Sequence, residues 1–146
     1  VFSSIVVGID GSDTAKEAVR QATVLARSVG ARIDLVSAYE PVSDARLRES
    51  IAVPEDLHWI IDPREAVEAT LLAAAAEIRA AGVVSTVFAR RGDPADAILD
   101  VAEERGADLI VVGNKGMTGA KRFLLGSVPN KVSHHAPCSV LIIRTA

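Results

Sequence analysis

Between Gly113 and Ser127 the chain reads G-N-K-G-M-T-G-A-K-R-F-L-L-G-S, directly after the apolar run Leu109-Ile110-Val111-Val112. The spacing is glycine, two residues, glycine, nine residues, then Gly126-Ser127 at the expected start of a helix. Glycines just past a strand let the backbone approach a ligand where a Cβ would intrude, and they permit φ > 0. Free N–H groups there, together with a helix N-terminus, suit phosphate. Lys115, Lys121 and Arg122 add positive charge within the same stretch and are candidates for phosphate contact. No Gly-Lys-Ser/Thr closes the loop and Gly-x-Gly-x-x-Gly is absent, so a phosphate site here is of another type.

Asp10 is the second candidate. It follows the apolar Ile5 to Ile9 and opens the turn Asp10-Gly11-Ser12-Asp13. A carboxylate beside phosphates suits Mg²⁺; an Asx-turn or a helix cap is the ordinary structural alternative. His134 and His135 fall in the last turn of a short helix, where adjacent residues point apart and cations are favoured. Cys138 is expected to be a small buried hydrophobe. Phosphoryl transfer needs a positioned water or acceptor and a charge clamp, and Asp10 is the one residue that can be nominated as base.

Three further segments extend the pattern. Ile5-Val6-Val7-Gly8-Ile9-Asp10-Gly11-Ser12, Ala107 to Gly113 and Ala136 to Ile143, with the G-x2-G-x9-G-S loop, resemble the ATP-binding branch of the universal stress protein family. The resemblance covers almost the whole chain. It implies an α/β fold, a Rossmann-like open five-stranded parallel sheet in the order 3-2-1-4-5 with helices on both faces. It also implies ATP in the crevice between strands one and four. The implied contacts are Gly8, Ile9, Asp10, Ala38, Gly113, Asn114, Lys115, Gly116, Met117, Gly126, Ser127 and Val128, with Ala38 meeting the adenine through its backbone. Asp10 would touch the ribose or the nucleotide's Mg²⁺. Family members resembling this chain pair as homodimers across the last strand. The implied role is a nucleotide-dependent regulator or sensor in stress response, with slow or no hydrolysis. An ATPase or phosphotransferase acting on itself or a partner is one alternative; a dimeric interaction module with no nucleotide role is another.

The elements that must position these residues follow from periodicity. Ile5 to Ile9 reads as a central strand buried on both faces. From Thr14 to Val29 the residues Ala15, Ala18, Val19, Ala22, Leu25, Ala26 and Val29 recur at three and four, which predicts an amphipathic helix. Ile33 to Tyr39 is a second strand. Glu40 to Asp62, with Pro41, Pro54 and Trp59, fits no long helix; a connection longer than about 12–15 residues is usually functional, and a lid or partner-contacting segment is expected. Asp62-Pro63 and Asp93-Pro94 each supply an N-cap followed by proline at the first helical position. The first of these helices carries an alanine stripe, Ala69, Ala73, Ala76 and Ala80, that could lie close to a sheet. Val83 to Ala89 reads as strand three, and Ser139 to Ile143 as strand five. Alternating strands and helices imply a parallel sheet with right-handed crossovers.

Composition narrows the class. One domain over 1–146 suits this length. Hydrophobic residues make up 49 % and aromatic residues 3 %, so the core must be Val, Ile, Leu and Ala. A net charge of −3 speaks against general nucleic-acid binding, which needs a basic face. With one cysteine, no apolar run near the roughly eighteen residues of a membrane span and no signal-peptide pattern, a cytoplasmic location is expected.

Overall fold

The computed structural model of the protein describes residues 1–10, 13–40, 62–114 and 126–144. Its strands are β1 (Ser4–Gly8), β2 (Arg32–Tyr39), β3 (Ser85–Arg91), β4 (Leu109–Gly113) and β5 (Ser139–Ile143). Its helices are α1 (Asp13–Val29), α2 (Pro63–Ala80), α3 (Pro94–Glu104) and α4 (Ser127–His135). The strands pair in parallel in the order β3-β2-β1-β4-β5, as the resemblance implied. No helix among the described residues is long and apolar enough to cross a membrane.

Two cores explain the unbroken apolar runs. On one face Ile5 and Val7 of β1 and Leu109 and Val111 of β4 pack with Ala18, Ala22 and Ala26 of α1 and Leu71 and Ile78 of α2. On the other, Val6, Ile110 and Val112 pack with Ile98 and Val101 of α3 and Val132 of α4. Successive side chains of a strand point to opposite faces, so a strand covered on both sides must be apolar throughout.

The caps form where the sequence places them. The Asp62 carboxylate accepts from the N–H groups of Arg64 and Glu65 at 3.0 and 3.4 Å. That of Asp93 accepts from Asp96 N at 3.0 Å.

The inward face of α2 differs from the expectation. Ala69, Ala73, Ala76 and Ala80 are exposed; Leu71, Ala75 and Ile78 are buried instead. Leucine and isoleucine remove far more apolar area from water than a methyl group does, at roughly 25 cal/mol per Å². The larger residues therefore decide which face turns inward.

Strand three also begins two residues later than its apolar content suggested, at Ser85 rather than Val83. Val83 belongs to the end of α2. Its N–H donates to Ile78 O at 3.2 Å and that of Gly82 to Arg79 O at 2.9 Å. These two bonds close a Schellman motif around Gly82, whose φ of +84 disfavours a residue with a Cβ.

One polar staple crosses the second core. Asp34 on β2 is wholly buried, and Arg105, which follows α3, approaches it at 3.1 Å. Arg32 lies 3.7 Å from the same oxygen and donates to the Arg105 carbonyl at 2.8 Å.

Candidate functional site

The carboxyl ends of β1 and β4 lie side by side, with Val7 opposite Val111. This is where the strand order reverses, since β1 leads on to α1 and β2 while β4 leads to α4 and β5. Ligands in open parallel sheets bind beyond the strand ends at such a reversal. A cleft opens there, lined by Gly8 at the end of β1, Ile9 and Asp10 after it, Val112 and Gly113 of β4, and Val128 and Pro129 of α4. Ala15, Pro94 and Ile98 complete its wall.

Gly8 is required by packing as well as by access. A Cβ there would collide with Cδ1 of Ile98 and meet its Cγ1 at 3.0 Å. Helix α3 therefore lies directly on the end of β1, which fixes the depth of the cleft floor.

The start of α4 supplies the donors. Its N-cap is Gly126, with φ −62 and ψ 166, and no side chain among the described residues caps the helix. Ser127 is the first residue inside the helix. Gly126 is extended, so the positive φ permitted by glycine is not used at this position. Its N–H donates to the Asn114 carbonyl at 3.0 Å, and Asn114 N donates to Ile143 O at 2.9 Å. The first intrahelical bond runs from Asn130 N to Gly126 O at 3.1 Å. Pro129 has no N–H. The helix start therefore presents two amides, Ser127 and Val128, with no partner among the described residues. In α2 and α3 a proline takes the first helical position and the capping aspartate accepts from later amides, Arg64 and Glu65 in one and Asp96 in the other. Two free amides at the positive end of a helix dipole form a receptor for an anion.

Charge at the rim is tightly arranged. Lys131 on α4 lies 2.8 Å from Asp96 Oδ1 and 3.4 Å from Asp93 Oδ2. The backbone N–H of Asp96, with Lys131 beside it, holds the Asp93 carboxyl below its usual range. The Asp96 carboxylate, with Asp93 beside it, raises the Lys131 ammonium above its ordinary value.

Of the residues implied by the resemblance, Gly8, Ile9, Asp10, Gly113 and Val128 line one cleft, and Asn114, Gly126 and Ser127 stand at its edge. Ala38 lies half-buried near the end of β2 and does not line the cleft formed by the described residues. Lys115, Gly116, Met117, Lys121 and Arg122 lie outside the described residues, as do 41–61 with Trp59. Sequence reasoning missed Ala15, Pro94, Ile98, Val112 and Pro129 as wall residues. The signal for Pro94 was present, because a capped helix following a parallel strand starts at the carboxyl end of the sheet. Cys138 is half-buried just before β5, and burial pushes its thiol up.

A larger groove of about 720 Å³ runs between α1 and α2 and shares Ile9 and Ala15 with the cleft. Small side chains such as Val19, Thr23, Thr70 and Ala74 line it. None of the described residues that line it belongs to β4 or α4, so the reversal of strand order rather than size decides the choice of site.

Comparison with known proteins agrees with this fold. The profile of the universal stress protein family matches residues 2–144. A universal stress protein of Bacillus subtilis (strain 168), YxiE, is 37 % identical over 150 residues, covering 99 % of this chain and all of its own. The crystal structure of a universal stress protein in complex with cAMP superposes with a TM-score of 0.74 at 34 % identity, covering 99 % of both chains. That of an Archaeoglobus fulgidus universal stress protein in complex with dAMP gives 0.66 at 29 % identity, covering 98 % of both. A profile match across nearly the full length and a relative of this identity leave one assignment: the chain belongs to the universal stress protein family.

Proposed function

We propose that this chain binds ATP, with Mg²⁺, in the cleft between the ends of β1 and β4, and acts as a nucleotide-dependent regulator or sensor with slow or no hydrolysis. The observation that carries this reading is the start of α4. Gly126 leaves the amides of Ser127 and Val128 unclaimed by any capping side chain among the described residues, at the point where the strand order reverses. Adenine nucleotides in two similar structures support the ligand class. Asp10 is the one carboxylate among the described residues that lines the cleft. An oxygen donor beside phosphates fits Mg²⁺, which binds through one or two carboxylates plus phosphate oxygens. Bound there, the ion would neutralise phosphate charge.

Mass spectrometry of nucleotide co-purifying with the protein is the direct test, followed by calorimetric titration with ATP, ADP and cyclic AMP. Recovery of ATP supports the reading. A protein that carries none and binds none of the three would sink it. Multiple-turnover phosphate release, with Asp10→Asn as control, separates a regulator from an ATPase or phosphotransferase.

A homodimer through β5 accompanies this reading. β5 is an edge strand of the sequence SVLII, and Leu141 is 38 % exposed. An apolar edge of this kind invites pairing unless it is covered, and a second copy of the same strand would cover it. Light scattering at micromolar concentration should give a dimer for the wild type and a monomer for Leu141→Lys. A wild-type monomer overturns this part.

A further inference from the structure

Lys131 stands one helical turn beyond Val128 on α4, and Asp93 immediately precedes Pro94 at the start of α3. Val128 and Pro94 both line the cleft. The ion pairs of Lys131 with Asp96 and Asp93, at 2.8 and 3.4 Å, therefore bridge the two helix starts that wall the site.

The charges at this rim conflict. The free amides of α4 favour an anion, whereas two carboxylates at the start of α3 oppose one. Asp93 has a task of its own, since it caps α3 by accepting from Asp96 N. The carboxylate that stabilises the wall is thus a liability to a phosphate held at α4, and among the described residues Lys131 touches both acids.

We propose that Lys131 is a positioning residue for the phosphate end of the ligand: it holds the first turns of α4 against α3 and offsets the charge of Asp93 and Asp96. This rests on the nucleotide reading above. As a surface ion pair, 43 % exposed at Lys131, it adds little to fold stability, since exposed pairs contribute roughly 0–1 kcal/mol. Its effect on a multiply charged ligand nearby is larger, because each phosphate charge meets the unbalanced carboxylates when the lysine is lost.

The test is calorimetric titration of ATP and of adenosine, which lacks phosphate, into the wild type, Lys131→Gln, Lys131→Arg and Asp96→Asn. Lys131→Gln should weaken ATP on the order of tenfold through loss of one nearby charge, leaving adenosine affinity and melting temperature unchanged. Lys131→Arg should restore ATP affinity. Asp96→Asn should tighten ATP about threefold by removing a repulsive charge. Equal weakening of ATP and adenosine by Lys131→Gln would reduce Lys131 to a packing role and overturn the inference, as would unchanged ATP affinity. If Lys131→Gln does not fold, Asp96→Asn decides: tighter ATP supports the inference and unchanged ATP overturns it. A wild type that binds neither ligand overturns the nucleotide reading and this inference with it, an outcome visible before any variant is compared.

Discussion

The amide of Gly126 donates to the carbonyl of Asn114 at 3.0 Å, so the chain leaves β4 and returns to α4 at a single point. The same bond occupies the Gly126 donor, while the next two amides have no partner among the described residues.

Gly126→Val should weaken ATP by about one to two decades while the fold stays intact. The native conformation there is extended, so valine brings no left-handed strain. The loss comes from a branched side chain standing before the Ser127 and Val128 amides. Losing a hydrogen bond to a charged group costs about 1.5–3 kcal/mol. Ser127→Ala should do less, because it keeps the amide. Equal affinities for the wild type and both variants, all folded by circular dichroism, would place the phosphate elsewhere.

Gly8→Ala should destabilise the protein by about 1–3 kcal/mol, the range for overpacking a filled core. The new methyl group would strike Ile98. Ile98→Val removes the Cδ1 that is struck, so Gly8→Ala measured in that background should cost less. Urea denaturation of the four proteins in the cycle checks this, and additive losses would contradict it.

Arg105→Met should destabilise more than Asp34→Asn. The first leaves a wholly buried carboxylate with Arg32 alone, 3.7 Å away; the second leaves a half-exposed guanidinium that water can solvate. Removing one partner of a fully buried pair costs about 3–5 kcal/mol, and the exposure of Arg105 places both losses below that range. Chemical denaturation at neutral pH gives the order, and a reversed order would contradict the staple.

Acid should weaken the fold partly through Asp108. Burial pushes this carboxyl up, but the N–H groups of Ser3 and Ser4 and the Ser3 hydroxyl hold it below its usual value. A carboxyl lowered in the folded state binds its proton more weakly there than in the unfolded chain. Its contribution is complete above the unfolded value of about 4 and is lost as pH falls through the lower folded value. Asp93 and Glu104, lowered respectively by the Asp96 amide and the Arg90 guanidinium, act in the same direction. Urea midpoints should therefore fall below about pH 4 in the wild type and fall less steeply in Asp108→Asn. Parallel slopes would remove Asp108 from the account.

Sequence alone determined what local chemistry controls. The aspartate-proline caps at Asp62-Pro63 and Asp93-Pro94, the inward face of α1 and the apolar runs of β1 and β4 depend on residues a few positions apart, and each stands as read. The strand order followed from resemblance rather than from periodicity. Tertiary structure decided everything that depends on residues distant in the chain. Which stripe of α2 turns inward was a competition between alanines and the larger Leu71 and Ile78, settled against the sheet. Val83 is as apolar as a strand residue but closes the end of a helix. A Cβ at Gly8 would strike Ile98, which is remote in sequence. Lys131 meets Asp93 across 38 positions, and no local pattern announces that pair. Capping and periodicity are interactions within a turn or two of chain; the wall of the cleft is made where four separate segments end at one edge of the sheet.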